Sequence, residues 1–76
     1  MTYQHYTHSQ LLVRFGKNLK KERLRRNLSQ ETLAVKASLS SRYVSTIERS
    51  GCNVTISCAN RLSRVLDIKF SDLMDF

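Results

Sequence analysis

The apolar residues of this chain recur every three or four positions, in short segments that each follow a Ser or a Thr. This spacing lines one face of an α-helix, and a hydroxyl just before a helix caps backbone N–H groups that have no helical partner. The sequence has no proline and no alternating strand pattern, so we expect an all-α fold of five short helices around one core. The predicted caps are Ser9, Ser29, Ser40, Thr55 and Ser71.

The predicted helices fill most of the chain, which at 76 residues allows a single domain. Residues 1–9 are polar and aromatic without periodicity and predict a flexible N-terminal arm, so the domain covers residues 10–76. His5 and His8 lie in this arm without a nearby carboxylate or thiol, so we expect no metal site. The helices are expected at residues 10–26, 29 to about 37, 41 to about 49, 56–66 and 72–76.

The charge of the chain indicates its partners rather than its fold. A formal net charge of +7 at pH 7 favours DNA, RNA or an anionic membrane surface. No apolar run is long enough to cross a bilayer and no secretion signal is present, so we expect a cytoplasmic location. Cys52 and Cys58 lie in no CxxC pattern, and we expect reduced thiols and no cofactor.

Two short helices joined by a tight turn lie within residues 29–49, and this pattern is typical of a helix-turn-helix. On the second of them, Val44 and Ile47 occupy the side that packs on the domain. The other side carries hydrogen-bond donors and no acid, so it can face either solvent or a polyanion. Its residues are Ser41, Arg42, Ser45, Thr46 and Arg49.

Glu48 is the one acid of that second helix, and its spacing places it toward the core. Arg23 interrupts the apolar face of the first helix in the same way. A half-buried carboxylate near a helix C-terminus is costly without a cation. We therefore predict an ion pair that fixes the first helix to the third, the alternative being that each side chain is separately solvated.

Nothing in the sequence predicts an enzyme. The histidines lie in the arm, the acids are few and scattered, and no Ser/His/Asp or Cys/His set falls on the predicted helices. Gly16 and Gly51 are the only glycines, so no glycine-rich phosphate loop is present. There is also no separate domain for a small-molecule ligand.

The stretch SQETLAVKASLSSRYVSTIER resembles the helix-turn-helix of the XRE family, of the lambda Cro and phage-repressor type. FGKNLKKERLRRNLSQETLA is similar to that family's first helix, and NVTISCANRLSRVLDIKFSDLM to its fourth and fifth. RYVSTIERSGCNVTI is more narrowly similar to the controller proteins of bacterial restriction–modification systems, which are small dimeric regulators. The resemblance implies a compact five-helix, lambda-repressor-like DNA-binding domain.

The resemblance also implies how DNA is bound, with the second helix of the helix-turn-helix in the major groove. Controllers often carry arginine where this chain has Ser41, so the target sequence is expected to differ. The cations of the first helix are weaker candidates for DNA contacts, since a basic helix is equally often a solvated face. Those cations are Arg14, Lys17, Lys20 and Lys21. The expected base contacts are Ser40, Ser41, Arg42, Ser45 and Thr46, and the expected backbone contacts are Gln30, Tyr43, Arg49, Asn53 and Thr55.

One such module makes few base contacts, so we expect a homodimer on a palindromic operator with half-sites about 34–36 Å apart. The dimerisation region is expected within residues 56–76, because this short C-terminus is rich in apolar residues. The alternative is that these residues only close the monomer core. The expected interface residues are Ile68, Phe70, Leu73, Met74 and Phe76.

The expected function is sequence-specific transcriptional regulation, with the operon of a restriction–modification system as the target and RNA polymerase as an additional candidate partner. A phage repressor or an antitoxin-type autoregulator is the nearest alternative. A protein–protein adaptor with the same fold and a basic peptide on a membrane surface are alternatives of other classes. The matching caps and core argue against the membrane peptide, and no membrane or small-molecule partner is expected.

Overall fold

The computed structural model describes residues 6–50 and 52–75, apart from the side chain of Ser50. No strand occurs in these ranges, and the all-α fold class is confirmed. The expectations for residues 1–5, Gly51 and Phe76 lie outside the described residues. The helices are α1 (His8–Arg25), α2 (Gln30–Lys36), α3 (Ser41–Ser50), α4 (Ile56–Leu66) and α5 (Phe70–Leu73).

The first helix begins two residues before its predicted start, and the predicted Ser9 cap is wrong. Thr7 Oγ1 accepts a hydrogen bond from the Gln10 amide at 3.2 Å, while Gln10 Oε1 accepts one from the Thr7 amide at 2.9 Å. This capping box satisfies two N–H groups at once, which stabilises a start at His8. Of the predicted arm, His8 and Ser9 are therefore helical.

Three of the other predicted caps are confirmed. The hydroxyls of Ser29, Ser40 and Thr55 each accept a hydrogen bond from the backbone N–H three residues on, at 2.9, 3.0 and 3.0 Å. The predicted Ser71 cap and the helix at residues 72–76 are wrong, because α5 begins at Phe70 with Lys69 at its N-cap. Burial of Leu73 fixes this register, since its side chain is fully enclosed.

Three non-glycine residues with left-handed backbone close the turns between helices. Asn27 and Asp67, with φ of 55° each, lie just past α1 and α4. Ser38, with φ of 58°, was not anticipated. It lies in the turn of the helix-turn-helix, where the Leu39 amide donates to the Ala34 carbonyl at 2.8 Å. A left-handed residue costs roughly 1–2 kcal/mol, so packing of the two helices must hold this turn.

The core gathers side chains from every helix in the described ranges. Leu73 is 0% exposed and Asn18 Nδ2 donates to its carbonyl, so α5 closes the core beside α1. The prediction that Leu73 contacts a second subunit is therefore wrong, because no part of this side chain reaches the surface. Ile56, an apolar residue at the start of α4, is 79% exposed. The fully buried side chains include Leu19, Leu33, Val44, Ile47, Leu62, Leu66 and Leu73.

Candidate nucleic-acid interface

A bidentate ion pair holds α3 to the rest of the domain. Arg23 Nε and Nη2 lie 2.7 and 2.9 Å from the two carboxylate oxygens of Glu48, whose side chain is 2% exposed. The remaining Arg23 nitrogen donates to the Leu28 carbonyl at 2.7 Å, and Gln30 Nε2 donates to Glu48 at 3.1 Å. These bonds join α1, α2 and α3 at one point, so the ion pair sets the orientation of the exposed face of α3.

That exposed face carries the residues predicted to meet base edges. Ser40, Ser41 and Arg42 are exposed at the start of α3, while Ser45 and Thr46 are half-buried along it. The Thr46 hydroxyl donates to the Arg42 carbonyl at 2.9 Å, so its lone pairs, and not its proton, remain for another group. The structure thus brings all five predicted residues to one side of the helix-turn-helix.

Of the residues predicted to meet the DNA backbone, Tyr43, Asn53 and Thr55 lie at the loop between α3 and α4, whereas Gln30 and Arg49 line a cleft beside α1. Tyr43 donates its phenol proton to the Asn53 carbonyl at 3.1 Å, and its ring packs against the core. Asn53 Oδ1 lies 2.8 Å from His8 Nε2. Thr55 uses its hydroxyl to cap α4. Sequence reasoning missed His8, because no local pattern indicates a contact between residues 45 positions apart.

The thiol of Cys58 interacts with Thr55 and Tyr43. The pKa of the Cys58 thiol is lowered by a hydrogen bond with Thr55 and by the Arg61 guanidinium, which lies 3.4 Å from the sulfur. Burial and the neighbouring thiols of Cys58 and Cys52 raise the pKa of the Tyr43 phenol. Both cysteines are free, in agreement with the expected reduced thiols.

An apolar groove lies between α1, α4, α5 and the loop that precedes α4, with Thr55 also in its lining. Phe70 is half-buried and Met74 is 39% exposed. Ile68 packs against the core, and Phe76 lies outside the described residues. The expected dimerisation region, residues 56–76, includes α4 but did not indicate that α1 also lines this groove. Its apolar residues are Leu11, Leu12, Phe15, Val54, Ile56, Ala59, Phe70 and Met74.

Two further findings bear on the kind of site. Among the described residues, no three His, Cys, Asp or Glu side chains are grouped closely enough to hold a metal ion. None of the helices in residues 6–50 and 52–75 is both long and apolar enough to cross a membrane.

Comparison with known proteins identifies relatives that share the helix-turn-helix fold. A sequence model of the family described as Helix-turn-helix matches residues 19–73. The control protein C.BamHI of Bacillus amyloliquefaciens is 38% identical over 63 residues, which is 82% of this chain and 78% of that protein. The crystal structure of the restriction–modification controller protein C.AhdI from Aeromonas hydrophila superimposes with a TM-score of 0.79 at 40% identity, covering 82% of this chain and 94% of that one. SinR, described as the master regulator for biofilm formation and crystallised with DNA, gives a TM-score of 0.75 at 34% identity, covering 80% and 98%.

Proposed function

Since this chain belongs to the XRE-type helix-turn-helix family of DNA-binding regulators and is related to restriction–modification controller proteins, we propose that it binds a palindromic operator as a homodimer. The family is one of regulators and not of enzymes. One observation carries the proposal. The donor-rich, acid-free face of α3 is exposed at Ser41, Arg42 and Arg49 and half-buried at Ser45 and Thr46, while the only acid of that helix is turned inward onto Arg23.

Direct readout of bases is assigned to the start of α3. Arg42 is exposed and makes no ion pair among the described residues, so its guanidinium is available for a bidentate contact with guanine. Ser40, Ser41 and Ser45 supply short hydroxyls that let the helix sit close to the groove floor. Thr46, with its proton already used, can only accept from a base donor.

The contacts that position the protein on the DNA phosphates are assigned to the start of α2, to α3 and to the loop after α3. Gln30 keeps a second amide hydrogen after donating to Glu48. Arg49 is exposed at the last turn of α3. Tyr43 donates to the Asn53 carbonyl, and Thr55 accepts from the Cys58 amide at the start of α4, so both ends of that loop are fixed.

Dimerisation is assigned to the apolar groove. A domain this small gains stability from a partner surface, and two copies related by a twofold axis match a palindrome with half-sites about 34–36 Å apart. Ile68, Phe70, Met74 and Phe76 remain the proposed C-terminal contacts. Exposed Leu11 and Ile56 extend the surface onto α1 and α4.

The names of the relatives suggest the biological setting. Two of them are described as control or controller proteins, and one of these as acting in restriction–modification. We therefore place this protein in the cytoplasm, regulating a restriction–modification operon, with RNA polymerase as a further partner. SinR has a similar fold but regulates another process, so the fold is not restricted to restriction–modification. A phage repressor or an antitoxin-type autoregulator is therefore the second candidate.

The proposal is tested by footprinting the DNA that flanks the gene and by selecting sites from random duplexes, each over a range of salt. A palindromic protected site with steeply salt-dependent affinity is expected, because phosphate contacts release counterions. Equal affinity for every duplex would contradict a specific regulator. Absence of any DNA binding would favour the protein–protein adaptor.

A further inference from the structure

The helices α1 and α3 cross at a point where their backbones touch. A Cβ on Gly16 would lie 2.1 Å from the Ile47 carbonyl oxygen, a separation that no side chain permits. Only glycine allows this approach. The crossing therefore brings the next turn of α1, with Lys17 and Lys20, alongside the stretch of α3 that flanks Ile47.

At this crossing the two helices form a cleft that carries a concentration of positive charge. Lys17 and Lys20 line it from α1, Ser45 and Arg49 from α3, and Gln30 from α2. The three cations are exposed and form no ion pair within the described ranges.

The one acid in the cleft does not neutralise these cations. Glu48 also lines it, but both of its carboxylate oxygens are already bound by the Arg23 guanidinium. Lys17 and Lys20, three residues apart on one helix, repel each other, and Arg49 adds a third like charge. This repulsion lowers the stability of the free domain, and an anion bound in the cleft would relieve it.

We propose that this cleft holds one backbone phosphate of the bound duplex, with Lys17 and Lys20 supplying contacts from a helix outside the helix-turn-helix. The inference rests on the proposed function, since it needs DNA on the exposed face of α3. Ser45 lies in this cleft and also on the face of α3 that is proposed to read bases, so the phosphate would flank those bases. Gln30 and Arg49 contribute the remaining donors.

The other cations of α1 provide a matched control. Lys21 does not line the cleft; it lines one recess with Arg14 and Lys17 and another with Glu22 and Asp72. Arg14 lies over the Tyr6 ring, with its guanidinium carbon 4.4 Å from the ring centroid. A variant with Arg14→Gln and Lys21→Gln therefore removes the same charge from the same helix without touching the cleft.

The test compares this control with Lys17→Gln/Lys20→Gln on the selected operator, with affinity measured at several salt concentrations. One lost phosphate contact makes the slope of log affinity against log salt about 0.9 shallower per bound subunit. We expect that change in the cleft variant and a smaller one in the control. Equal slopes for the two variants would overturn the inference, because the lysines would then act only through net charge.

A second measurement locates the phosphate. Operators carrying a single neutral methylphosphonate at each position in turn are bound by the unmodified protein and by the cleft variant. We expect one position per half-site that weakens the unmodified protein at least several-fold and leaves the cleft variant unaffected. If every position weakens both proteins equally, the cleft holds no phosphate. Specific binding by the unmodified protein, present in either case, keeps the proposed function separate from this outcome.

Discussion

The carbonyl oxygen of Ile47 lies where a side chain on Gly16 would begin. A Cβ on Gly16 would be only 2.1 Å from that oxygen. This contact sets how near α1 approaches α3. Together with the Arg23–Glu48 pair, it holds the proposed recognition helix in place from two points.

Replacing Gly16 with Ala should therefore destabilise the domain. Ala is favoured over Gly in a helix by about 1 kcal/mol, so any net loss reports the clash. We expect a loss of about 1–3 kcal/mol in the free energy of unfolding, measured by urea denaturation. Ser9→Ala, at an exposed position of the same helix, is the control and should change little. A stabilised Gly16→Ala variant would contradict the close crossing.

Removal of the Glu48 carboxylate should leave Arg23 buried without its partner. Glu48→Ala is expected to lower the free energy of unfolding by about 3–5 kcal/mol. The exposed acid Glu31, in the first turn of α2, is the control and should lose far less as Glu31→Ala. A double-mutant cycle with Arg23→Ala measures the coupling directly. A loss near zero for Glu48→Ala would be inconsistent with a buried pair.

Substitutions of Arg42 and Arg49 should distinguish a contact with a base from a contact with the DNA backbone. Arg42→Ala is expected to lose about 1–3 kcal/mol of discrimination at one base pair of each half-site. Arg49→Ala should weaken all duplexes by a similar factor. Binding to the operator and to its single-base variants measures both effects. If Arg42→Ala weakens every duplex uniformly, Arg42 contacts phosphate instead.

Charge placed in the apolar groove should separate the two subunits. Ile56→Lys is expected to shift the protein from dimer to monomer in sedimentation without unfolding it, since Ile56 is 79% exposed in the single subunit. Val35, 72% exposed on α2 and outside the groove, supplies the control Val35→Lys. An unchanged dimer mass for Ile56→Lys would rule out the proposed interface.

Acid should weaken the domain through Glu22. Hydrogen bonding from Arg26, 2.9 Å away, together with the charge of Arg25, lowers the pKa of this carboxyl despite its burial. A carboxyl with a lowered pKa stabilises the folded state above its ordinary pKa, and this contribution is lost as pH falls through the lowered value. Thermal unfolding between pH 7 and 3 should therefore show a smaller decline in Glu22→Gln than in the unmodified protein. Identical pH profiles would show that Glu22 does not contribute.

The sequence by itself determined the helices that carry a local signal. The hydroxyl caps at Ser29, Ser40 and Thr55 act within three residues of themselves, so α2, α3 and α4 could be placed without knowing the fold. The helix-turn-helix followed from two short helices joined by a tight turn, and the inward position of Glu48 followed from its spacing on the second of them. The family could then be identified from residues at fixed offsets.

Only the tertiary structure decided which surfaces meet. The start of α5 depends on Leu73 reaching the core beside α1, and the 79% exposure of the apolar Ile56 is seen only in the packed domain. The His8–Asn53 contact and the cleft beside Gly16 join residues that are far apart in the chain. Periodicity and caps specify each helix separately, whereas the angle and distance at which helices pack arise from all their side chains together.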